Sequence, residues 1–392
     1  MRMLIAVNRR SALLLAAALM APSSRGVRIA LPRPTGVHPI GTTTAHLVDH
    51  ARRDPWHPER ARELMVTLTY PARRSGHTAW LPPSVADYAD TQLAAMGVAL
   101  NSVDWAKSTR YACDGAPISG RFPVVLFSPG LQAPREPYSA LTDDLASHGY
   151  FVVSMSHTYE AAAVEFPGGR VERGVEISGS PESMKRVIDT RVADTRFVLD
   201  QLGRFKGADL SRIGAFGHSS GEYTAGETMV WDRRIGAGIN LDGAMCYSSG
   251  IDGTPYLPGE VVTRGLDRPF LLLGEQMRHP DTGVNGMHDH RPGSFDRTWV
   301  DFWPNQRGYR RDFTLHAGRH LSFSDLQVLL PQLGTRLSLA AREAAIGTVD
   351  PTRSVAAQRA YVAAFFDLHL RGRDTRLLDG PSPAFPELTF VP

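Results

Sequence analysis

Residues 214–221 read Gly-Ala-Phe-Gly-His-Ser-Ser-Gly, a G-x-S-x-G sequence at the end of an apolar run. No other segment limits the fold as strongly. Ile213, Gly214, Ala215 and Phe216 read as the end of a buried strand, and a helix begins within residues 220–230, so Ser219 falls on a sharp strand-to-helix turn. A strained backbone at such a turn pushes the serine hydroxyl into the open. Gly217 and Gly221 leave the space it needs, because side chains there would collide with the neighbouring strand and helix. The amides that follow favour the negative charge that develops during acyl transfer. Ser219 is therefore the expected nucleophile.

The rest of the chain repeats the alternation. A strand signal at His46–Asp49 precedes the alternating strand Arg62–Tyr70, and a helix falls near Val85–Leu100. Phe122–Ser128 is short and wholly apolar, as in a sheet buried on both faces. An amphipathic helix at Tyr138–His148 leads through Gly149 to the buried strand Tyr150–Ser156. Ser180, as N-cap ahead of Pro181, opens a long helix over Glu182–Leu202. Strands follow at Gly238–Leu241, Pro269–Gly274 and Phe313–Leu315, then a helix at Thr352–Arg371. Strands and helices in alternation predict an α/β fold, a mostly parallel central sheet with helices on both faces. With no internal repeat and no linker, residues 24–392 are expected to form a single domain. Two stretches, 158–180 and 275–312, carry little regular pattern and are candidate walls of a substrate pocket, the latter a candidate lid.

At the N-terminus, Arg2, Arg9 and Arg10 precede the apolar stretch Ala12–Ala21, and small residues follow at Ala21-Pro22-Ser23-Ser24. That order predicts a secretory signal peptide over residues 1–23, too short to span a bilayer as a stable helix. Asn8-Arg9-Arg10-Ser11-Ala12-Leu13-Leu14 is similar to a twin-arginine export signal. An exported, soluble mature protein is the expectation. A net charge of +3 with scattered basic residues gives no basis for a nucleic-acid partner. Cys113 and Cys246, the two cysteines of the chain, are compatible with one disulfide, and neither has a metal-site spacing.

A serine nucleophile needs a base within hydrogen-bond reach and an acid to orient that base, and in this fold type the chain order is Ser, Asp or Glu, His. The histidines after Ser219 are His279, His288, His290, His316, His320 and His369. His320 is preferred because it follows a turn beyond strand Phe313–Leu315 and precedes a helix start; His316 is its rival. His369 reads as packed within the last helix, and His218 as packed beside the nucleophile with its ring turned away. For the acid, Asp242 ends the strand after the serine, while Glu275 and Asp281 lie just beyond the next one; spacing leaves these open. The oxyanion donors expected are the backbone N–H groups of Ser220 and of Leu131, the latter after Ser128-Pro129-Gly130; Pro129 has no N–H to give. His288-Asp289-His290 reads as a solvated loop without further metal ligands. Trp299, Phe302 and Trp303 read as core, or as the lining of an acyl pocket.

Five ordered segments resemble the α/β-hydrolase fold and, within it, the platelet-activating factor acetylhydrolase family in its secreted and bacterial branch. They are Gly217-His218-Ser219-Ser220-Gly221, Phe127-Ser128-Pro129-Gly130-Leu131, Asp143-Asp144-Leu145-Ala146-Ser147-His148-Gly149-Tyr150, Leu241-Asp242-Gly243-Ala244-Met245 and His320-Leu321-Ser322-Phe323-Ser324-Asp325. Asp54-Pro55-Trp56 with Arg62-Glu63-Leu64-Met65-Val66 is similar to bacterial members near their N-termini. The resemblance implies Asp242 as acid and His320 as base. It also implies a serine esterase without cofactor or metal, acting on short-chain acyl esters such as phospholipids with a short sn-2 chain, and so in transient contact with a lipid surface. Polyester, cutin-like or triglyceride hydrolysis and acyl transfer are the alternatives on the same residues. The chain departs from the family where Pro129 replaces a frequent histidine, and where Glu222 replaces a usual glycine and is expected to reshape the pocket floor.

Overall fold

The computed structural model describes residues 26–250, 253–278 and 285–392; the expected signal peptide, His279 and Asp281 lie outside them. An 11-stranded sheet runs through the molecule. Nine of its strands are β1 (Ile40–Arg53), β2 (Ala61–Pro71), β3 (Phe122–Ser128), β4 (Phe151–Ser156), β5 (Ala208–His218), β6 (Ile235–Leu241), β7 (Phe270–Arg278), β8 (Arg310–Leu315) and β9 (Leu388–Val391). Their order across the sheet is β9-β8-β7-β6-β5-β3-β4-β2-β1; Cys113–Asp114 continues the edge beyond β1, and Asn285–Met287 pairs with β7. From β4 to β8 every neighbouring pair is parallel, while β1, β2 and β9 are antiparallel additions at the two ends.

The uninterrupted apolar runs have a simple cause. In β3, Val124 and Leu126 enter one core while Val125 and Phe127 enter the other. Phe270 and Leu272 of β7 face one way, Leu271 and Leu273 the other. Side chains alternate across a strand, so both faces must be apolar when both are covered. Helices α1 (Ser139–Ser147) and α5 (Pro351–Arg371) cover one face; α2 (Pro181–Gln201), α3 (Ser220–Trp231) and α4 (Arg297–Asn305) cover the other. Ser180 caps α2 as its sequence predicts, accepting from Ser183 N–H at 3.3 Å.

Both stretches read as irregular contain regular structure. Residues 158–180 form a small hairpin, Ala163–Glu165 with Val171–Arg173. Within 275–312, β7 continues to Arg278, Asn285–Met287 returns beside it, and α4 buries Trp299 and Phe302 in the core. The paired segments Gln276–Arg278 and Asn285–Met287 are short and carry no apolar run, so neither announces a strand. Cys113 and Cys246 are both free thiols, because they sit on separate small strands, one at the β1 edge of the sheet and one against α2.

Candidate active site

β5 ends at His218 and α3 begins at Ser220, so Ser219 makes the turn by itself, at φ 56° and ψ −129°. Left-handed backbone at a non-glycine residue costs roughly 1–3 kcal/mol and persists only where the surroundings enforce it. Here they do. A Cβ on Gly217 would stand 2.2 Å from the Gly221 carbonyl carbon, and one on Gly221 would stand 1.9 Å from the Ser128 carbonyl oxygen. The Ser219 N–H donates to the Leu241 carbonyl at 3.0 Å, tying the turn to the end of β6.

One residue beyond that carbonyl lies Asp242, also left-handed at φ 58°, with its carboxylate buried. Oδ2 accepts from His320 Nδ1 at 2.6 Å, and Oδ1 accepts from the Glu275 N–H at 2.8 Å and from His288 Nδ1 at 2.8 Å. Burial opposes this charge, but the hydrogen bonds from His288 and His320 hold the Asp242 carboxyl well below its usual range. His320 opens a short turn past β8 and keeps 42% of its side chain exposed, so one imidazole edge meets Asp242 while the ring remains accessible.

The rival residues fall elsewhere. His316 is exposed and its backbone N–H is taken by Glu387. Glu275 reaches Asp242 through its amide; its Oε2 is buried with no partner among the described residues, and burial with the Asp242 charge pushes the carboxyl up to about 9. His369 packs against Tyr309 and Phe365, and burial pushes it down to about 4.

His218 is packed, as expected, yet it also joins three parts of the site. Its Nε2 lies 2.9 Å from the His320 carbonyl and must therefore carry the proton; Nδ1, 3.0 Å from Tyr138 Oη, then accepts. Tyr138 in turn accepts from the Gly130 N–H at 3.3 Å. Burial, then the nearby His320, push His218 down to about 3, so it stays neutral while holding the base loop to the nucleophile strand.

The reading of His288-Asp289-His290 as a solvated loop is wrong. All three are buried. His288 bridges Asp242 and Asp296 at 2.8 Å each and stacks on Trp299 with ring centroids 3.9 Å apart; His290 meets Asp312 at 2.7 Å and stacks on Trp303. Burial opposes charge on His288, but its two carboxylate partners raise it well above the ordinary histidine value. The partners come from β6, β8 and the start of α4, which no local pattern announces. Glu222 also lies deeper than expected: it is fully buried, neither carboxyl oxygen has a partner among the described residues, and burial raises it well above the carboxylate range. It is a buried acid under the turn.

Among the described residues, Asp242, Glu275 and His320 bring ligand atoms within 4.8 Å of one another. An ion there would have to break the Asp242–His320 bond. A cavity of about 640 Å³ opens beside His320, lined by Glu275, Arg319, Leu321, Glu343 and Thr348 among others. That volume lies within the range of small-molecule sites.

A ferulic acid esterase from Streptomyces cinnamoneus has a similar structure, with a TM-score of 0.74 and 36% identity, covering 93% of this chain and 99% of that one. Fold and relatives together define the class: a carboxylic ester hydrolase of the α/β-hydrolase fold. Residues 24–168 match the model of platelet-activating factor acetylhydrolase, isoform II. A probable 1-alkyl-2-acetylglycerophosphocholine esterase of Arthroderma benhamiae is 30% identical over 391 residues, covering 92% of this chain and 93% of that protein. The platelet-activating factor acetylhydrolase of Bos taurus is 25% identical over 342 residues, 73% of this chain and 71% of its own. The chain belongs to the platelet-activating factor acetylhydrolase family.

Proposed function

We propose that this protein is an exported serine esterase that hydrolyses short-chain acyl esters, with Ser219 as nucleophile, His320 as base and Asp242 as the acid that orients it. The 2.6 Å bond from His320 Nδ1 to Asp242 carries the reading, because it fixes the proton on Nδ1 and leaves Nε2 as the basic nitrogen. Ser219 Oγ attacks the ester carbonyl carbon as its proton passes to Nε2. The Leu131 and Ser220 amides take the carbonyl oxygen as it becomes an oxyanion. Collapse expels the alcohol, which receives the proton from His320, and leaves an acyl-serine. Water then repeats the cycle, releasing the carboxylic acid. Asp242 stabilises the imidazolium formed in each half-reaction. Export is supported by the order of Arg9, Arg10 and the apolar stretch Ala12–Ala21; a mature chain beginning near Ser23 after secretion is the expected result of N-terminal sequencing.

Ser219→Ala is expected to lower turnover of p-nitrophenyl acetate by about a thousandfold or more; a variant that keeps its rate removes the mechanism. A short sn-2 acyl phosphocholine ester is the favoured substrate, supported by the named relatives of the family. Aromatic acyl esters form a second reading, supported by the 36% identity to a ferulic acid esterase over nearly the whole chain. Comparing kcat/KM on methyl ferulate and on 2-acetyl phosphocholine lipid decides between them.

A further inference from the structure

Two buried charges lie behind the segment expected to supply the oxyanion donor. Arg191, on α2, is fully buried; Nη1 donates to the Pro129 carbonyl at 2.7 Å, and Nη2 to the Gly130 carbonyl at 2.9 Å and to Glu160 Oε2 at 2.7 Å. Glu160, also fully buried, accepts the Gln132 N–H on its other oxygen at 2.6 Å. The pair thus grips segment 129–132 by its own backbone. We propose that Arg191, backed by Glu160, is a positioning residue that aims the Leu131 amide at the carbonyl oxygen of the substrate; this rests on the serine-esterase reading above.

The peptide plane gives the direction. In a trans peptide the N–H points opposite to the C=O of the same unit. Holding the Gly130 carbonyl against Arg191 turns the Leu131 N–H away from α2. The nucleophile stands against the same segment: a Cβ on Gly130 would lie 3.4 Å from Ser219 Cβ and 3.5 Å from His218 Nδ1. The remaining amides of the segment are engaged. Gly130 donates to Tyr138 Oη, Gln132 to Glu160, and Ala133 to the Gly130 carbonyl at 3.1 Å, while Pro129 has no N–H. The Leu131 N–H has no acceptor among the described residues. Gln132 is left-handed at φ 59°, a conformation that the Glu160 contact holds.

The base of the segment is fixed as well. Ser128 Oγ lies 2.8 Å from His157 Nε2, and His157 Nδ1 lies 3.0 Å from Asp194. This second Ser-His-Asp string is buried throughout, so it meets no substrate. Burial first, and then Arg191, lower His157 below its ordinary value; a neutral ring that donates from Nδ1 accepts from Ser128. A buried ion pair is seldom the most stable filling for its space, which suits a role in orientation better than one in stability.

The test uses Arg191→Met and Arg191→Lys on the full enzyme, assayed below their melting transitions with p-nitrophenyl acetate and a trifluoromethyl ketone that forms a hemiketal oxyanion. The expected result for Arg191→Met is a fall in kcat of about a hundredfold, KM within about threefold, and an equal loss of ketone affinity, with Arg191→Lys intermediate. A folded Arg191→Met with wild-type kcat, or with losses confined to KM, overturns the proposal. Should either variant fail to fold, the wild-type ketone complex decides by crystallography. An oxyanion within about 3.1 Å of Leu131 N, with Arg191 still on both carbonyls, supports the clamp; any other position of either overturns it. Ser219→Ala separates the two readings: if it stays active the esterase mechanism fails, whatever Arg191 does.

Discussion

Glu275 is a carboxyl placed where a charge is unwelcome, buried beside the ionised Asp242 and pushed up to about 9 against an ordinary value of 4.5. Because the folded state keeps this proton and the unfolded state releases it, the stability it contributes is complete below about pH 4.5 and is lost as pH rises through about 9. Glu275→Gln removes that loss. Its unfolding free energy relative to wild type, from urea denaturation, is expected to rise steadily between pH 5 and 9, with a slope of at most about 1.4 kcal/mol per pH unit; a difference independent of pH contradicts the assignment. Asp242 and Glu275 could not be separated by spacing, since in the sequence each follows a neighbouring apolar strand run. Hydrogen bonding separates them geometrically: His320 meets the carboxylate of one, while the other offers only its amide. His288 had a weak signal, a histidine beside an aspartate in a polar stretch. That signal gave no sign of a bridge between Asp242 and Asp296.

Among the elements, β2 and α2 are joined by charge rather than by apolar contact alone. Arg62 of β2 is fully buried and donates to Asp194 of α2 at 2.6 and 3.0 Å, to Asp54 at 2.6 Å and to the Thr158 carbonyl at 2.8 Å. Removing the arginine takes the buried countercharge from Asp54 and leaves Asp194 with only Arg52 and His157. Arg62→Met is expected to cost about 3–5 kcal/mol in urea denaturation, and Asp54→Asn added to it should restore part of the loss. An Arg62→Met protein as stable as wild type rejects this account. The same helix carries Arg191, on the Pro129 and Gly130 carbonyls, and Asp194, which reaches Ser128 through His157, so α2 backs the segment of the expected oxyanion donor. The Ser180 cap ahead of Pro181 announces a helix, but that signal says nothing of which polar residues along it are buried.

For the whole molecule, the cysteines give the simplest measurement. Cys113 and Cys246 are free, and burial pushes the Cys246 thiol up to about 12. Two thiols should titrate with Ellman's reagent in denaturant, Cys246 should react slowly in the native protein, and dithiothreitol should leave the melting temperature unchanged. A drop of several degrees on reduction means a disulfide instead. The fold was legible because it rests on local, repeated signals: apolar runs such as Phe122–Ser128, helix starts such as Ser180-Pro181, and the glycine-flanked turn at Ser219. Strand order, the approach of His288 to Asp242, the burial of Glu222 and the grip of Arg191 on the 129–132 backbone were decided by tertiary structure. Each depends on residues far apart in the chain meeting where water is excluded, and there a polar side chain takes its role from its partners rather than from its sequence neighbours.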